Sequence, residues 1–174
     1  HQASSALRRA LEPDLPEKFP SRYLRVEVGR IALILPPGSE VDYEIFERHI
    51  LHEVWEAALA IYRGDFLPEY RYVDWCAAQR EWLRQDYQTA LLAMARRWIA
   101  EGRFRESLDA CRKVLAVEPW QEEAVLLGMQ AWAGLGNTTA ALRLYRTLEK
   151  TLREDLGVAP QAELQAYYQA LLNK

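Results

Sequence analysis

The sequence predicts a mainly α protein, a right-handed stack of antiparallel helix pairs, and three observations carry that prediction. First, a shift of 34 residues lays Trp98 on Trp132, Gly102 on Gly136, Ser107 on Ala141 and Leu108 on Leu142. Self-similarity at such a period marks helical-hairpin repeats. Second, Leu83, Tyr87, Leu91, Met94 and Trp98 step by three and four, as the buried stripe of one long helix does. Third, glycines and prolines are few, at 8 each, and several stand between apolar stretches rather than inside them.

The elements follow in order. Residues 1–11 read as the end of a helix, with Ala6, Leu7, Ala10 and Leu11 on one face. A loop with Pro13, Pro16 and Pro20 comes next. Residues 21–28 and 30–35, rich in Val, Ile, Leu and Tyr and hinged at Gly29, predict a β-hairpin. Pro36-Pro37-Gly38-Ser39 then marks a boundary, giving a first domain over 1–38 and a second over 39–174.

In the second domain Asp42 is the expected N-cap of a helix reaching Tyr62, and 63–68 break it. Asp74 is the expected cap of the longest helix, ending near Ala100. The repeats are expected at about 88–121 and 122–155. In each, a bulky Trp wedges against the partner helix, a glycine four residues later makes the turn, and a small residue lets the helices approach. Pro119 closes the first unit and opens the next. Arg153 stands where a second closing proline belongs, so that helix should continue to Leu156 and stop at Gly157. Pro160 is expected to open a helix over 160–172 that caps the apolar end of the stack.

Composition narrows the function. The net charge of −3 divides into +1 over residues 1–40 and −4 over the rest, so the helical part lacks the basic character of a nucleic-acid surface. Ile31–Leu35 is an apolar run of five and no run exceeds six, against the ~20 residues that a membrane helix needs. Cys76 and Cys111 fall in apolar helical contexts and read as reduced, inert core thiols, which suits the cytoplasm. No phosphate-cradling glycine loop, paired-cysteine motif or nucleophile elbow is present, so neither catalysis nor a cofactor is expected. His49, His52 and Glu53 have the spacing of three ligands on one helix face, but no further ligand accompanies them and a solvated face is the better reading. The start at His1 rather than Met leads us to expect more chain upstream.

The 34-residue units resemble the tetratricopeptide repeat. The wider order includes Val41-Asp42 with Phe46, then Ala58-Leu59 and Tyr62-Arg63-Gly64-Asp65-Phe66-Leu67. Trp75 with Arg80 to Leu83, the repeats, and Leu156-Gly157-Val158 with Pro160 complete it. That order is similar to the bacterial transcriptional activator domain of Streptomyces antibiotic regulatory protein-type regulators. The resemblance implies a winged-helix DNA-binding domain whose recognition helix ends in residues 1–11 and whose wing is 21–35. It also implies promoter DNA as partner of the full-length protein, and RNA polymerase or a second copy, such as a homodimer, as partner of the helical part. Arg8, Arg9, Arg22 and Arg25 become DNA-contact candidates, with an intact winged helix, through phosphate charge; for Arg8 and Arg9 in this chain by itself a solvated helix end is the better reading. A helical-repeat adaptor module of a larger signalling protein is the alternative.

In a tetratricopeptide-like stack the first helix of each unit lines the concave face. Leu92, Arg96 and Ile99, then Leu126 and Gln130, are therefore the candidates for a partner groove, although cover of Leu92, Ile99 and Leu126 by the helix over 42–62 is the stronger reading.

Overall fold

The computed structural model describes residues 2–16 and 19–173, and they form two units that divide between Val41 and Asp42. The first unit contains α1 (Gln2–Leu11) and a two-stranded antiparallel sheet of β1 (Leu24–Glu27) and β2 (Arg30–Leu33). Val28 and Gly29 form the tight turn, and Gly29 takes the positive φ of 74° that such a turn demands. Leu24 pairs with Leu33 and Val26 with Ile31, so these four share one face, while Arg25, Glu27, Arg30 and Ala32 share the other. The loop between α1 and β1 is braced by side chains. Glu12 accepts from the Ser21 hydroxyl and from the Arg22 amide (3.1 Å), and Arg8 donates to the carbonyls of Pro16 and Phe19.

The second unit is a tetratricopeptide-like stack of antiparallel helix pairs. Its helices are α2 (Asp42–Leu51), α3 (Trp55–Ile61), α4 (Ala77–Ala100), α5 (Phe104–Val117), α6 (Glu122–Gly134), α7 (Thr138–Thr151) and α8 (Ala162–Leu172). Successive helices pack on one another, α4 on α5, α5 on α6 and α6 on α7.

The turns share one chemistry. After α4, the amide of Arg103 donates to Trp98 and that of Gly102 to Ile99; after α6, Asn137 donates to Trp132 and Gly136 to Ala133. Each is a Schellman cap in which a glycine takes positive φ, here 75° at both Gly102 and Gly136. The same pattern recurs after α2, where Val54 donates to His49 and Glu53 to Ile50. There the left-handed residue is Glu53, at φ 55°. The single helix expected over 42–62 is therefore two helices, because the Schellman turn at Glu53 reverses the chain without a glycine to announce it. Glu53→Gly should stabilise the protein by about 1 kcal/mol, since a side chain at left-handed φ costs that much; the denaturation midpoint measures it, and an unchanged or lowered midpoint would contradict the strain argument.

Other ends also differ from expectation. Asp74 opens a 3₁₀ turn (Asp74–Cys76) rather than capping α4, whose helical bonding starts at Ala77. The last helix starts at Ala162, not at Pro160, because Gln161 is still extended (ψ 151°). After α7 the chain continues as a π turn, Leu152–Leu156, and Gly157 closes it in the left-handed state.

The core runs in layers down the stack. Phe46, Ala58 and Leu83 form the first, Leu91, Ala95, Cys111 and Val114 belong to the second, and Val125, Met129, Tyr145, Leu148 and Leu164 to the third. Tyr87 packs into both the first and second layers and Leu115 into both the second and third, so each pair is stabilised by its neighbours. Ser107 and Ala141, both fully buried, are the small residues at which paired helices approach.

Candidate functional site

A groove of about 680 Å³ lies between α4, α6 and α8. Leu126, Leu127 and Leu164 supply its apolar lining, Gln121, Gln130 and Gln161 its amides, and Trp120, nearly half exposed, an indole at its edge. Glu118, Glu122, Glu123 and Glu163 against the single Arg96 make the lining acidic. Arg96 pairs with Glu123, and the Glu122 carboxylate accepts from the Gln161 amide at 2.6 Å, which ties the start of α8 to the start of α6. Gln121 begins α6 by accepting from the amides of Glu123 (2.8 Å) and Ala124.

Of the five expected groove residues, Arg96, Leu126 and Gln130 line this groove. Leu92 does not: it is buried in the second core layer, and Ile99 packs against the same layer together with Leu59 of α3. The third helix thus covers the upper end of what the repeat pattern alone leaves open. Trp120, Gln161 and Glu163 were not expected. Trp120 follows Pro119 in a connection, and the other two reach the groove only because α8 folds back, so neither carried a periodic signal.

The four arginines expected near DNA divide differently. Arg8 donates from one guanidinium nitrogen to the Pro16 and Phe19 carbonyls, which braces its own loop. Arg9, Arg22 and Arg25 are exposed, and Arg25 lies on the polar face of the hairpin with Arg30.

The His49, His52 and Glu53 spacing does not survive folding, because α2 ends at Leu51 and the last two lie in the turn. Among the described residues no cluster of three His, Cys, Asp or Glu side chains is placed to hold a metal. Burial pushes the Cys111 thiol up to about 12, which keeps it protonated and poorly nucleophilic at neutral pH. Cys76 is buried too, and its Sγ lies 3.2 Å from an Arg80 guanidinium nitrogen. Among the described residues no helix is long and apolar enough to cross a membrane.

A second cleft, of about 570 Å³, opens where the start of α2 meets the connection after α3, and Arg80 shapes it. Its guanidinium, buried at the start of α4, donates to the carbonyls of Phe66 (2.9 Å), Tyr70 (2.9 Å) and Arg71 (3.2 Å). An arginine that satisfies loop carbonyls in place of a carboxylate left no trace in the helix pattern.

The family model of the bacterial transcriptional activator domain matches residues 46–172. The chain belongs to the bacterial transcriptional activator domain family. This is the helical domain of Streptomyces antibiotic regulatory protein-type regulators, and its role there is regulatory. The domain and the unit before it are similar in fold to EmbR of Mycobacterium tuberculosis, solved in complex with a low-affinity phosphopeptide. The TM-score is 0.68 at 23% identity, over 99% of this chain and 48% of that one. The chain thus spans about half the length of EmbR. No curated protein matches it.

Proposed function

We propose that the activator domain over 39–174 is the protein-contacting half of a cytoplasmic bacterial transcription activator, and that its groove between α4, α6 and α8 receives a second copy or RNA polymerase. The family match over 46–172 carries this reading, and the groove is where it acts. Residues 1–38 are read as the end of a winged-helix domain. Consistent with that, one face of the hairpin is apolar, with Val26, Ile31 and Leu33 all more than two-fifths exposed, as expected of a wing that packs on other elements. Arg9, Arg22 and Arg25 then meet phosphates at the promoter, positioning the protein without reading bases. The domain performs no chemistry of its own; it changes transcription by what it holds.

The test uses the intact regulator. Promoter affinity should fall steeply with salt, as counterion release requires. A Trp120→Ala, Gln130→Arg double variant should keep that affinity and lose at least about tenfold of activation, the effect of removing one or two interface anchors. Sedimentation of the same variant separates the partners: loss of a dimer assigns self-association, and an unchanged mass assigns the polymerase. Full activation by the double variant would overturn the groove.

A further inference from the structure

The second cleft plays no part in that proposal. Tyr43, Phe46, Tyr62 and Phe66 line it together with Leu83. Tyr43 and Phe66 meet edge to face at 5.5 Å, and Phe46 lies 5.3 Å from Tyr62. Tyr87 stacks on one face of Tyr62 at 4.0 Å, so only the opposite face of that ring remains for other contacts.

The cleft is formed before any ligand arrives. The Arg80 clamp fixes the loop through the carbonyls of Phe66, Tyr70 and Arg71. Leu67, between them, takes left-handed angles (φ 47°, ψ 64°) that a leucine adopts only where its surroundings impose them. A cavity of this size with aromatic walls and a few polar groups has the dimensions of a small-molecule site, and a preformed one binds without an ordering penalty.

Charge selects the ligand. The lining carries the carboxylates of Asp42, Asp65 and Glu69 against one guanidinium, Arg63. Arg84 pairs with Asp65 at 2.7 Å and fixes it in place. Burial is the main influence on the cleft's two phenols, with nearby carboxylates adding to it. Burial and then Asp65 push the Tyr62 hydroxyl up to about 12, and burial followed by Glu44 and Glu47 raises that of Tyr43. Aromatic faces are themselves negative and attract cations.

We infer that this cleft binds a small organic cation, an alkylated or protonated ammonium. Its charge lies against the ring faces and the rim carboxylates of Asp42 and Glu69, and its apolar body against the half-buried Phe66 and Leu67. Such a ligand gives the regulator an effector site separate from the partner groove, and it depends only on the helical unit.

Choline tests the charge against 3,3-dimethyl-1-butanol, which has the same shape and no charge, with calorimetric titration of the protein as the readout. Choline should bind saturably and at least about tenfold tighter than the alcohol, the margin of one good cation–π contact. Tyr43→Leu and Glu69→Gln should each weaken choline binding about fivefold. Gln130→Arg, in the other groove, should leave it unchanged, so failure here is distinct from failure of the partner groove. Far-UV circular dichroism confirms that Tyr43→Leu is folded; if it is not, Glu69→Gln, at an exposed position, decides alone. Equal binding of the two probes, no binding of choline, or choline binding that Glu69→Gln leaves intact would each overturn the assignment.

Discussion

Arg80→Met should lower the stability of the protein by about 3 kcal/mol, the range for hydrogen bonds from a charged donor to several buried acceptors. Arg80 is buried at the start of α4, with relative exposure of 9%, and it ties three carbonyls of the 66–71 connection to the helix. Methionine fills much of the volume and donates nothing, so those carbonyls lose their partner. Arg80→Lys should rescue little, because one ammonium cannot reproduce the planar fork that reaches Phe66, Arg71 and Tyr70 together. Denaturant titration gives the free energy, and hydrogen exchange should show early opening of the connection. A loss below about 0.5 kcal/mol, the range of an ordinary surface change, would mean the clamp is decorative.

Tyr145→Ala should cost about 3–5 kcal/mol, as aromatic-to-alanine changes in a core do, and should release α8. Tyr145 is 4% exposed and stacks on Tyr168 of α8 at 4.0 Å, while Arg146 donates to the Tyr168 hydroxyl at 3.2 Å. Leu164 and Leu171 of the same helix close the third core layer. Without the tyrosine the last helix keeps only part of its seat, and the apolar end of the stack faces water. Exchange of α8 amides should then exceed that of α5 and α6. Uniform protection along all the helices would show that the stack end does not depend on this contact.

Both variants bear on legibility. The α4–α5 and α6–α7 turns were readable because a Schellman cap selects glycine, and Gly102 and Gly136 fall one repeat apart. The α2–α3 turn has the same hydrogen bonds but carries Glu53, so its chemistry was hidden in a helical pattern. Arg80 looked like any cation on a long helix, since nothing local indicates that a loop will return to it. Leu92 fitted the concave face of a bare repeat pair; α3, which brings Leu59 to that layer, came from outside the pair and covered it. The loop carbonyls that Arg8 reaches were equally absent from the helix pattern.

By itself the sequence determined the helices of the repeats, where two of the tight turns fall, and that a hairpin turns at Gly29, because periodicity and glycine chemistry act over a few residues. Only the tertiary structure decided which faces stay open. Exposure depends on elements far apart in the chain, α3 over Leu92 and α8 beside Leu126, meeting through contacts that no local pattern encodes. The two clefts are what those meetings leave uncovered, so their chemistry could be seen only once the stack was built.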